Sequence, residues 1–175
     1  MNEVLKNIQE RRSVRKYKAE AVPQELIDQV IEAGLFAASG ADKQTAIIVA
    51  ITNKDVIKKF TDSNRKIGGW GQEVNPFYGA PVILLVLGDK ASLNHDFDGS
   101  LILGNMMLAA HSLGLGSCWI NRAREEFEMP EWQEWLETIG IQGNYAGIGH
   151  LSLGYPEGGY PKAHPRKPHR VFYVK

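Results

Sequence analysis

Residues 98–121 read DGSLILGNMMLAAHSLGLGSCWIN. Over residues 97–113 the apolar side chains fall on nearly every side of a helix rather than in one stripe. A helix of that kind belongs inside a core. Gly114 and Gly116 end it, and residues 115–121, LGSCWIN, follow as a strand. A buried helix running straight into a strand needs a sheet to pack on, and this sets the architecture as helices layered on a sheet.

The flanking segments extend that reading. Residues 81–87, PVILLVL, and 46–52, AIIVAIT, are short, apolar and β-branched, as buried strands are. Residues 145–154 form a further strand, and 170–174, RVFYV, a last short one. Helices are predicted over 2–11 with Asn2 as cap, over 23–38 with Pro23 in the first turn, and over 54–61 after Asn53. A Trp- and Glu-rich surface helix spans 130–139 and stops at Gly140. Residues 62–80 read as a long Gly- and Asn-rich loop holding Trp70, Phe77 and Tyr78, and loops of that length are often functional. Residues 155–168 are a Pro/Gly/basic loop, so the last strand hangs on an arm that need not pack on its own subunit. The predicted fold is α/β (α+β), a three-layer sandwich with a central mixed β-sheet between helices. It is one domain, 1–175, with a C-terminal arm at 155–175.

The chain of 175 residues is neutral, 20 Lys+Arg against 20 Asp+Glu, which argues against a surface devoted to nucleic acid. The sum hides an asymmetry. Residues 11–18, RRSVRKYK, and residues 162–175 each hold five positive charges and no acid, whereas 125–137 holds six glutamates and reads as a Glu-rich surface face. One cysteine, Cys118, allows no intrachain disulfide and no cysteine-based zinc site, and the five histidines show no ligand spacing. No metal is expected. No apolar leader and no membrane-length apolar run is visible, so the expectation is a cytoplasmic protein with no membrane partner.

Three stretches could carry chemistry. Arg11, Arg12, Ser13 and Arg15 put three guanidiniums and a hydroxyl within five residues, enough to surround a phosphate, though a solvated basic turn reads the same way. Arg166-Lys167 between prolines is a second basic group, and two such groups could converge on one anion. ASGADKQ at 38–44 is either a helix stop or a small-residue loop open to a planar ligand. Trp119, Ile120 and Asn121 sit at a strand end, where ligands of such folds gather, and core packing explains them as well. No nucleophile–base set, GxGxxG after a strand or P-loop is present, so any chemistry belongs to a bound cofactor.

Taken in order, RRSVRKY (11–17), VPQELIDQVIEAGLFAASG (22–40), FYGAPVILLV (77–86), the opening stretch, NYAGIGHLSLGYPEG (144–158) and PRKP (165–168) resemble the FMN-dependent nitroreductase family, closest to its small single-domain bacterial members. The resemblance implies a homodimer with two FMN sites between subunits and the C-terminal arm exchanged. It implies that Arg11, Arg12, Ser13 and Arg15, with Arg166 and Lys167, hold the FMN phosphate and ribityl chain. It implies that Ala38, Ser39, Gly40 and Asp42 reach the partner's flavin, that Trp119, Ile120 and Asn121 line one face, and that a backbone N–H near Asn121 faces N5. NADH or NADPH would deliver hydride, and a nitroaromatic, quinone or related small acceptor would remove it, with no catalytic side chain needed. The same fold could instead serve reductive dehalogenation, flavin fragmentation or low-turnover flavin binding. The family loop commonly reads PSGxNxQPW; here it is ASGADKQTA, with Asp42 in place of Asn. Charged residues also stand at 120–127, INRAREEF, where Arg122 or Arg124 could meet an anionic donor or acceptor or simply lie in solvent.

Overall fold

Strand β2 (Val82–Asp89) runs through the middle of a four-stranded sheet in the computed structural model, which describes residues 1–175. Its neighbours are β1 (Ala46–Ile51) and β4 (Tyr145–Gly154), and β3 (Gly116–Ile120) closes the order β1-β2-β4-β3. Every residue of β2 from Val82 to Gly88 is buried, as its continuous apolar run requires. Side-chain alternation divides that burial between two faces. Val82, Leu84 and Val86 join one core cluster, and Ile83, Leu85 and Leu87 the other.

The first face is covered by α2 (Gln24–Leu35) and α4 (His95–Ser112), with α1 (Glu3–Glu10) beyond them. α4 is the buried helix of the opening stretch; Ile102, Leu103, Met106 and Ala110 enter the core. α2 approaches it at Gly34, where a Cβ would lie 2.7 Å from Met106 Cγ. The second face carries α3 (Lys54–Gly68), α5 (Ala123–Glu126) and α6 (Pro130–Thr138). The three layers are therefore as the sequence predicts.

Four expectations change. The sheet is not mixed: its three strand pairings are all antiparallel, and the single parallel contact is an isolated bridge between Ser13 and Ser117. Residues 170–174 form no strand, because the arm that bears them meets no edge of its own sheet. α3 runs seven residues past 61, to a left-handed Gly69 (φ 64°), so the loop begins at 69. Its buried face there is polar, Thr61 and Asn64, which hid the periodicity. Glu126 is not on a surface face; it is fully buried, with Oε1 accepting from Asn64 Nδ2 (2.7 Å) and Oε2 paired with His150 Nε2 (2.5 Å). Phe60 and Phe77 lie edge-on to the His150 ring at 5.0 and 5.2 Å. That buried set ties α3, the end of α5 and β4 together.

Candidate flavin site at the β3 edge

β3 is an edge strand; Ser13 and Val14 pair with its free side, and Tyr17 bridges Pro156 just beyond β4. Val14 N–H donates to Ser117 O (2.9 Å), and the Val14 side chain fills the space that a Cβ at Gly116 would take (2.7 Å to Val14 Cγ2). Tyr17 hydroxyl meets Val14 O at 2.9 Å and Ser152 Oγ at 2.8 Å. Val14 and Tyr17 are buried, Arg15 is exposed and Ser13 is partly covered. Burial pushes the Cys118 thiol up, with Arg15, Ser13 and Arg11 opposing. Burial, then Arg12, lowers the Arg11 pKa, and Arg11 Nη1 rests 3.8 Å from Met107 Sδ. Arg12 is held by its own neighbour, Nη1 to Arg11 O at 2.5 Å, while its Nε is buried without a partner. A raised thiol pKa makes Cys118 an unreactive packing residue.

The same edge continues to Trp119, Ile120 and Asn121. Cys118 O accepts from Ser152 Oγ on the β4 side (3.2 Å), and Ser117 O points to Val14. By that alternation the backbone N–H and C=O of Trp119 face outward, beside the basic turn. The Trp119 indole lies over Gly149, where a Cβ would be 2.2 Å from Nε1, and Nε1 is buried without a partner. Ile120 turns into the core and Asn121 is exposed. Beyond the strand end is a cavity of about 400 Å³ with Trp70, Tyr78, Asn121 and Arg122 in its wall.

The remaining candidates lie elsewhere in the chain. Ala38–Asp42 sits at the N-terminal end of α4, where Gly40 N–H donates to Asp98 Oδ1 (2.9 Å). Ser39 Oγ accepts from Gln44 N–H (3.1 Å), and Gln44 Nε2 donates to Asp42 Oδ1 (2.9 Å). Ala41, Asp42 and Gln44 have φ of 53°, 53° and 51°, a strained run for side-chain-bearing residues. Arg166 and Lys167 are exposed, and the Arg166 guanidinium bonds only His164 O, two residues away. One chain therefore assembles Arg11, Arg12, Ser13, Arg15 and Trp119–Asn121 on one edge. The loop at 38–42 makes no hydrogen bond to that edge, and the arm meets it only at its root, where Glu157 N–H donates to Lys16 O (3.0 Å) and Tyr160 hydroxyl to Leu115 O (3.1 Å).

Sequence reasoning missed Asp98. It is 4% exposed, one oxygen holds Gly40, and Oδ2 has no partner. Its signal was an acid in the first turn of an otherwise apolar helix, which reads equally as a favourable helix-dipole residue.

Residues 8–155 match the family model described as "Nitroreductase family". A "Putative NADH dehydrogenase/NAD(P)H nitroreductase" of Methanothermobacter thermautotrophicus is 34% identical over 142 residues, 74% of this chain and 71% of that protein. The "FMN reductase [NAD(P)H]" of Bacillus subtilis is 31% identical over 178 residues, 89% of this chain and 67% of that protein. Among solved structures, a nitroreductase with bound FMN from Bacteroides fragilis superposes over 100% of both chains with a TM-score of 0.92 at 28% identity. With a fold that matches throughout and a family model that spans most of its length, this chain belongs to the nitroreductase family.

Proposed function

We propose that the protein is an FMN-dependent NAD(P)H oxidoreductase that reduces nitroaromatics, quinones or related small acceptors. The observation that carries this is the continuous β3 edge, with three arginines and Ser13 at one end and an outward-facing backbone and cavity at the other. The residues fit the cofactor. Arg12 Nε is a buried donor without a partner, and the Arg11 and Arg15 guanidiniums have no acidic partner. A phosphate ester of charge near −2 would satisfy them.

Arg11, Arg12, Ser13 and Arg15 would hold the phosphate and ribityl chain, and the Trp119–Asn121 edge would set the ring plane and offer a backbone N–H near Asn121 toward N5. When bound, FMN supplies the reversible hydride chemistry. The chain's own work is to bind, orient and exclude water, and no acid–base side chain is required of it.

We read residues 1–175 as one domain whose arm, 155–175, crosses to a second copy. Arg166 and Lys167, and the loop Ala38, Ser39, Gly40 and Asp42, then complete the site of the partner. The test is direct. Purified protein should be yellow and should oxidise NADH or NADPH when a quinone or nitroaromatic is added. Protein that is colourless and takes up no added FMN contradicts the reading.

A further inference from the structure

The cavity beyond β3 contains a cation whose surroundings are only half complete. Arg122 is 27% exposed, and its guanidinium carbon lies 4.6 Å from the centroid of the Trp70 ring. Stacking fixes the plane of the fork at the cavity wall. Its one polar side-chain contact is long, Nη1 to Glu125 Oε1 at 3.5 Å. A guanidinium carries five N–H donors, so most of the fork has no protein acceptor. Glu125 is an equally poor fit, since its Oε2 is shielded from solvent and has no partner. Arg124, two residues on, differs: it lies 57% exposed and meets Asp96 Oδ2 at 2.5 Å, so its charge is already answered. Of the two charged departures in this segment, one is a surface ion pair and the other faces the cavity.

We propose that Arg122 determines acceptor specificity, by capturing the carboxylate or comparable anion of a planar aromatic acceptor seated between Trp70, Tyr78 and the β3 strand end. This rests on the flavin reading above. The walls suit a flat ring, and the open fork suits a two-oxygen anion. Glu125 is the resident counter-ion. At 43% exposure it can turn into water as the ligand's anion takes its place.

The test uses FMN-loaded wild-type protein, Arg122→Gln and Glu125→Gln. The acceptors are a benzoquinone bearing a ring carboxylate and the methyl ester of the same compound. Benzoate serves as a non-reacting probe, its binding read from the change in flavin absorbance. In Arg122→Gln the ratio of kcat/KM for acid over ester should fall about tenfold or more, with benzoate binding weakened alike. In Glu125→Gln both should rise. An unchanged ratio in both variants overturns the proposal. So does a loss confined to NADH or NADPH, which would give Arg122 to the donor, or a loss of FMN from Arg122→Gln, which would give it to the cofactor. If wild-type protein reduces neither quinone, the oxidoreductase reading is at fault. The benzoate titration then still decides whether Arg122 binds the anion.

Discussion

The two basic ends of the chain carry equal charge and are held in opposite ways. Residues 11–17 are pinned to β3 through Val14 and Ser117 and to β4 through Tyr17 and Ser152. The arm is anchored only at its root. Lys18 N–H donates to Tyr155 O, Glu157 N–H to Lys16 O, and Tyr160 hydroxyl to Leu115 O (3.1 Å). From Pro161 to Lys175 every residue is exposed, including Phe172 and Tyr173 at 84% each. A run of apolar and basic residues that costs this much to hold in water needs something to cover it. One end is thus built into a site, and the other is carried past it. The difference teaches that a single chain brings only one of its two basic groups to the β3 edge, and on the proposed reading the other would serve a second copy.

Removing the arm should produce the largest effect. A chain ending before Gly158 should lose FMN on gel filtration, and one that keeps it would dissolve the comparison. Next, Arg11→Ala or Arg15→Ala should each weaken FMN binding by about 1.5–3 kcal/mol if each makes a charge-assisted hydrogen bond to the cofactor. Fluorescence titration measures this directly. Asp98→Ala should lower stability by about 1–3 kcal/mol by releasing Gly40 and the strained loop behind it, with Asp98→Asn closer to wild type, as urea unfolding would report. That would sharpen the contrast by showing that the 38–42 loop, unlike the arm, is held within its own chain.

The smallest effect is on pH dependence. The His111 ring meets Tyr160 at 4.4 Å, at the arm's root, and its pKa is lowered from 6.5 by burial, with Glu10 opposing and Arg11 and Arg12 adding. The unfolded chain then takes the proton more readily, so stability should fall as pH drops below 6.5. His111→Gln should flatten the change in Tm between acid and neutral solution. An equally steep profile in the variant removes His111 from the arm's anchorage.

Most of the layers could be read from local pattern. α4 and β2 announce themselves because each is apolar throughout, and a continuous apolar segment has one place to go. What could not be read depends on distant partners. Asn64, Glu126 and His150 look like surface residues until Glu126 is seen to bond the other two across 62 and 24 residues of chain. Residues 170–174 have strand composition but no neighbouring edge, so composition named an element that one chain does not form. In the site, Arg11–Arg15 and Trp119–Asn121 were each legible as motifs, whereas their adjacency needed the Ser13–Ser117 bridge. Arg122 read better as solvated surface than as a ligand contact, and only its ring contact with Trp70 shows it at the cavity wall.

The claim that each site is shared between copies is tested most directly by mixing two defective chains. One carries Arg11→Ala and Arg15→Ala with its arm intact; the other keeps both arginines and ends before Gly158. If the arm acts on the partner, the mixed dimer has one site with intact arginines and an intact arm. FMN binding should then return on mixing, to about one flavin per mixed pair. If the arm serves its own subunit, both sites of that pair stay defective. In that case FMN bound after mixing would not exceed the sum of the separate chains, and the account would be contradicted.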